Sequence, residues 1–124
     1  MKKTLSLILA VLMLLSVTLA FASCEKTDDA FKVGFIFLHD ENSTYDKNFI
    51  DAANAAREAL GIGQDQIIMK TGIDEGEVCY TTAKELVTAG CQVIFADSFG
   101  HEPYMIKAAK EFPNVQFCHA TGTR

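Results

Sequence analysis

Apolar and polar positions between Phe31 and Arg124 alternate between strand-like and helix-like patterns. Residues 31–38 (FKVGFIFL) form a near-continuous apolar run, the pattern of a strand covered on both faces. The run breaks into acids, amides, hydroxyls and one tyrosine at HDENSTYD. From Asp46 to Leu60 the apolar positions Phe49, Ala53, Ala56 and Leu60 recur at spacings of four, three and four. That is one face of a 3.6-residue period and predicts a helix, with Gly61 placed to end it. QIIMKT (66–71) reads as a second strand, followed by the acid- and glycine-rich IDEGE. A second helix is predicted over 77–89, with Val78, Thr82, Leu86 and Ala89 inward and Gly90 as its stop. QVIFAD (92–97) is a third strand, and Ser98-Phe99-Gly100 a tight turn. Pro103 suits the first turn of a third helix, where its missing N–H costs nothing. That helix turns Met105, Ala108, Ala109 and Phe112 inward and ends before Pro113. VQFCHA (115–120) is the fourth strand.

Strands interleaved with helices in this way predict an α/β fold, a doubly wound parallel sheet with right-handed crossovers. Such a sheet holds ligands at the carboxyl ends of its strands. The loops expected there are HDENSTYD, TGIDEG, DSFGHE and HATGTR. The chain stops at Arg124, directly after the last of them, where a further helix is expected. Residues 31–124 therefore read as the incomplete N-terminal part of a larger protein or as a truncated gene product, with an edge after VQFCHA that lacks its cover.

The segment before Phe31 changes the picture. Lys2 and Lys3 precede an apolar core from Leu5 to Ala20, and the small residues Ala22 and Ser23 lead to Cys24. This is the layout of a secretory signal over 1–23. Small residues directly before a cysteine resemble a bacterial lipobox, in which Cys24 is acylated and becomes the mature N-terminus. Phe21 stands where leucine is commonest. The alternative is an ordinary signal peptide cut near a chance cysteine. A lipid chain anchors through about 0.8 kcal/mol per buried CH2, so the mature protein is expected on the extracytoplasmic face of the cell membrane. Residues 24–30 would be its tether. Loss of Lys2 and Lys3 leaves 9 of the 11 basic residues against 16 acidic ones, a net charge of 9 − 16 = −7. No basic patch remains, so nucleic acid is not expected as a partner.

Chemistry-bearing motifs are few. The chain has no GxGxxG after its first strand, no GxxxxGK[ST] loop and no GxSxG elbow. Cys118 and His119 are neighbours on a strand and point to opposite faces, so they cannot pair as nucleophile and base. Cys79, Cys91 and Cys118 lack metal-ligand spacing and read as buried thiols, with one disulfide plus a free thiol as the alternative. No enzyme activity, metal or cofactor is expected. Polar strand-end loops suit binding better. Asp40 can accept from ligand hydroxyl or N–H groups, or cap the following helix; Asn42, Ser43, Thr44 and Asp46 can also cap it. Tyr45 and Phe99 can stack on a planar ligand or pack within their loops. Phe49 lies on the apolar helix face. His101 and Glu102 read as solvated, with contact to ligand as the alternative, and Asp74, Glu75 and Glu77 as an acid-rich helix start.

KVGFIF, the HDENSTYDKNF loop, ELVTAGCQVIFADSFG and AAKEFPNVQFCHATG resemble the basic membrane protein (BMP) family of substrate-binding lipoproteins. These serve ABC importers and include purine nucleoside receptors. The resemblance covers Phe31 to Arg124 and implies the N-terminal lobe of a two-lobed type I periplasmic-binding fold that closes on its ligand. It implies a small nucleoside-like ligand, an ABC permease as partner and a lipid-anchored membrane location. Asp40 and Asp46 become polar ligand candidates. Phe49 takes the place of the stacking aromatic in variants reading DKSF, whereas other variants align the Thr44-Tyr45 pair. Ser98, Phe99 and Gly100 belong to a second ligand loop. A membrane-anchored sensor using the same lobe is the alternative.

Overall fold

The computed structural model describes residues 30–124. The expected leader over 1–23, the acylation site Cys24 and all but the last residue of the tether lie outside the described residues. Four parallel strands, β1 (Lys32–Ile36), β2 (Ile67–Lys70), β3 (Cys91–Ala96) and β4 (Gln116–His119), form one sheet in the order β2-β1-β3-β4. Three helices connect them: α1 (Thr44–Leu60), α2 (Glu77–Thr88) and α3 (Glu102–Glu111). Short 3-10 turns at Gln64–Gln66 and Phe99–His101 precede β2 and α3. The doubly wound parallel sheet predicted from the alternation of periods is the observed fold. Its strands are shorter than their apolar runs, because the ends of those runs leave the ladder for the loops.

Helix α1 begins two residues before the expected Asp46. Ser43 caps it from an extended conformation and accepts from the Asp46 N–H at 3.4 Å. Gly61 ends it at φ 65°, a left-handed conformation that glycine adopts without a Cβ clash.

The two faces of the sheet differ. On one, Gly34, Ile36, Ile94 and Ala96 meet α2 and α3, and Cys79, Ala83, Leu86, Met105 and Ala108 complete a buried core. The buried stripe of α2 is Cys79, Thr82, Ala83 and Leu86, whereas Val78 is 46% exposed and Ala89 is also outside. The predicted face is therefore turned by about one position, because α2 sits in the angle between the sheet and α3 rather than flat on the sheet.

On the other face α1 stands away from Val33, Phe35, Phe37, Val93 and Phe95. An apolar cavity of about 420 Å³ lies between, and Phe49, Ala53, Ala56 and Leu60 line its helix side. The predicted apolar face of α1 is thus the right one but only partly covered; Leu60 is 72% exposed. Phe35 stacks on Phe37 and Phe95 at 5.8 and 5.3 Å between centroids, nearly parallel. Cys79, Cys91 and Cys118 are free thiols, the first two buried. Burial pushes the Cys79 thiol up to about 12, so it is inert as a nucleophile.

Candidate functional site: a rim at the strand carboxyl ends

Because all four strands run parallel, their carboxyl ends and following loops share one edge of the sheet. The segment from Asp97 to His101 is the hub of that edge. Leu38 N–H donates to Asp97 Oδ1 at 3.2 Å, and the Tyr45 hydroxyl donates to the Asp97 carbonyl at 2.9 Å. Both come from the first loop and the start of α1. From the second loop Glu75 Oε1 accepts from the Ser98 hydroxyl at 2.5 Å and from Gly100 N–H at 2.9 Å. The Ser98 hydroxyl and Gly100 amide hold the Glu75 carboxyl below its ordinary value. A Cβ on Gly100 would lie 2.2 Å from Glu75 Cδ, so the glycine leaves room for that carboxylate. His101 Nε2 meets the Ile73 carbonyl at 2.8 Å, which places a proton on that nitrogen. From the fourth loop His119 Nε2 meets the Ser98 carbonyl, and Thr121 reaches the Asp97 carbonyl at 3.4 Å.

The candidates from sequence take distinct places on this rim. Asp40 is exposed and accepts from the Asn42 amide N–H and side chain at 2.9 and 3.0 Å; it shapes the loop and leaves the helix cap to Ser43. Asp46 is 1% exposed. Its Oδ1 accepts from His39 N–H at 2.8 Å, and its Oδ2 from the Ser43 hydroxyl at 2.5 Å with His39 Nδ1 at 3.2 Å. Burial alone would push its carboxyl up. The donors from Ser43 and His39, with the neighbouring Asp97, outweigh burial and hold it down at about 2. Tyr45 and Phe49 form a tilted ring pair at 5.1 Å and 60°. Phe49 is half-buried at the cavity wall, Tyr45 is exposed on one side, and Phe99 is 65% exposed.

Two expectations are corrected. His101 and Glu102 are buried rather than solvated, His101 with 0% exposure. The 3-10 turn at Phe99–His101 folds the imidazole under the rim, and burial lowers its pKa. Glu102 accepts from the N–H groups of Thr123 and Arg124 and so ties down the fourth loop. Glu75, read as part of a helix start, instead crosses to the third loop. Sequence reasoning also missed Asp97 as a site residue. Its signal was present: it ends an apolar strand run as Asp40 follows one. Among the described residues no group of three or more His, Cys, Asp or Glu is placed to hold a metal ion, and no helix is long and apolar enough to cross a membrane. The rim offers donors, acceptors and aromatic faces, an arrangement suited to binding.

No protein-family model matches the chain. It is 35% identical over 98 residues to a purine-binding protein of Brucella abortus (strain 2308), a match covering 77% of this chain and 27% of that protein. Among solved structures it is similar to an ABC transporter solute-binding protein from Conexibacter woesei. The TM-score is 0.60 at 18% identity, over 71% of this chain and 28% of the other. It is also similar to a transcriptional activator of the comK gene from Bacillus halodurans, with TM-score 0.63 at 19% identity over 73% and 30% of the two chains. The two structural likenesses show the α/β fold, which is consistent with part of a periplasmic-binding-protein lobe. The chain spans about a quarter of the length of the curated relative it matches. Both the curated relative and the Conexibacter woesei neighbour are binding proteins by description, purine-binding in one and solute-binding in the other.

Proposed function

We propose that this chain belongs to a lipid-anchored solute-binding protein of the BMP type that delivers a purine nucleoside to an ABC permease. The observation that carries the reading is the rim itself. Four loops are cross-linked through Asp97–His101, with the aromatic rings of Tyr45 and Phe99 and the Asp40 carboxylate left accessible. The similarity to a purine-binding protein supplies the ligand class. In this reading the rim is one wall of a cleft, a second lobe supplies the other, and release follows a hinge opening. No step of chemistry is required of the protein.

Cys24 is the proposed acylation site and the membrane its location, on the extracytoplasmic face. The fold by itself is compatible with a membrane-anchored sensor too, since one structural neighbour is a transcriptional activator. Calorimetric titration with inosine, guanosine and adenosine tests the reading. A two-lobed polypeptide containing this chain should bind at least one of them tightly, and this chain alone weakly or not at all. Micromolar affinity in this chain alone would sink the two-lobe requirement; no binding by the two-lobed polypeptide would sink the ligand class. The mass of the membrane fraction, with and without Cys24→Ala, checks the anchor.

A further inference from the structure

We infer that Asp46 and Asp97 share one proton across the rim, and that this proton positions the first strand-end loop and the start of α1 on the third loop. As a role in shaping a binding rim it rests on the solute-binding reading; the shared proton itself does not.

The geometry is specific. The two carboxyl groups abut, one from α1 and one from the end of β3, and they are 1% and 2% exposed. Three donors converge on Asp46: the His39 amide, the His39 ring and the Ser43 hydroxyl. Asp97 has one, Leu38 N–H on Oδ1. Its Oδ2 is buried and receives no donor from the protein. Two adjoining carboxylates have no hydrogen to share, and two buried negative charges in contact repel. A proton on Asp97 Oδ2 removes one charge and turns an orphaned acceptor into a donor to Asp46.

The assignment of the proton follows from the donors, since Asp46 receives three of them as an anion and Asp97 only one. Burial, followed by the Asp46 carboxylate, pushes the Asp97 carboxyl up to about 6, while Asp46 stays at about 2. Other titratable groups face this corner from every packed element. His39 from the first loop lies on Asp46. Glu75 from the second loop is occupied by Ser98 and Gly100. His101 and His119, from the third loop and the end of β4, donate to the carbonyls of Ile73 and Ser98. The Tyr45 hydroxyl binds the Asp97 carbonyl and leaves its carboxyl untouched.

Ionisation of Asp97 would set two anions against each other where α1 meets β3. The folded pKa of Asp97 lies above its unfolded value, so its stabilisation is complete below about pH 4 and is lost as pH rises through about 6. Asp97→Asn keeps an acceptor for Leu38 N–H and places an amide donor where the proton sits. Thermal unfolding of the full chain from pH 4 to pH 8 should show the wild-type midpoint falling by about 5 °C or more as pH rises from 4 through about 6, and levelling off above that. The Asp97→Asn curve should be flatter and should lie above wild type at pH 8. Parallel curves, or a less stable variant at pH 8, would overturn the proposal.

Carbon-13 spectra of the wild-type carboxyl groups decide the matter should the variant misfold. One aspartate titrating near pH 6 is expected; every aspartate titrating below pH 5 would overturn it. Hydrogen exchange reads the positioning role. The Leu38 and His39 amides should lose protection above pH 6 in wild type and keep it in Asp97→Asn, and equal protection in both removes the role. None of these measurements contains ligand, so failure to bind purines would defeat the solute-binding reading and leave the shared proton standing.

Discussion

In the proposed purine-binding reading three aromatic side chains are candidates for the ligand's planar face, and their surroundings separate them. The Tyr45 ring is fixed at both ends, by its hydroxyl on the Asp97 carbonyl and by its contact with Phe49. Phe49 serves the cavity wall as well as its ring partner. Phe99 projects from the hub loop with most of its surface in water. Phe99→Ala should therefore change stability by no more than about 0.5 kcal/mol. Tyr45→Phe keeps the ring and loses one hydrogen bond, about 1 kcal/mol. Phe49→Ala should cost more than either, because it removes packing on both sides. Chemical denaturation of the three variants ranks them. Purine titration of the same substitutions in a two-lobed polypeptide identifies the stacking ring as the one whose loss weakens binding most for its stability cost.

At this scale the sequence was partly legible. Asp40, Tyr45, Asp46 and Phe49 could be singled out because a polar burst after an apolar strand is visible in one dimension. Glu75, Asp97, His101 and His119 act through partners 21 to 59 residues away on other loops, and no local pattern signals such a pairing.

The elements follow their hydrophobic periods closely, and the departures have causes. Helix α1 was expected from Asp46 because its apolar stripe starts at Phe49; Ser43 begins it earlier by supplying the cap. Helix α2 turns its stripe toward α3, which a period cannot reveal because it fixes spacing and not the direction of the neighbour. Its close approach to the sheet depends on Gly34. A Cβ there would lie 2.9 Å from Leu86 Cδ1 and 3.3 Å from both Cys91 Sγ and Ile94 Cγ1. These are core atoms with little room to move, so Gly34→Ala should destabilise by roughly 1–3 kcal/mol through overpacking. Urea unfolding checks the figure. An unchanged midpoint would mean that α2 can lift from β1 without penalty.

On the scale of the whole molecule, one sheet face is closed by α2 and α3 and the other is half-covered by α1. Phe31, Leu60 and Phe95 are exposed around the apolar cavity, a larger apolar surface than scattered side chains present. This chain is therefore expected to bind a hydrophobic dye at neutral pH and to associate as its concentration rises. Dye fluorescence and sedimentation measure both. A monomer that leaves the dye dark would show that α1 closes on the sheet in solution.

The order of strands and helices, the parallel sheet and the edge where the loops gather were all determined by the sequence. Short continuous apolar runs and a 3.6-residue period, with glycine and proline at the boundaries, are local properties that a chain carries in one dimension. Only the tertiary structure decided which polar groups meet. It brought Asp97 against Asp46, Glu75 to Ser98 and Gly100, and His101 beneath the rim, leaving Phe99 outside. Those contacts depend on the crossovers that set β3 beside β1 and on how far α1 stands from the sheet. Both are settled by packing in three dimensions.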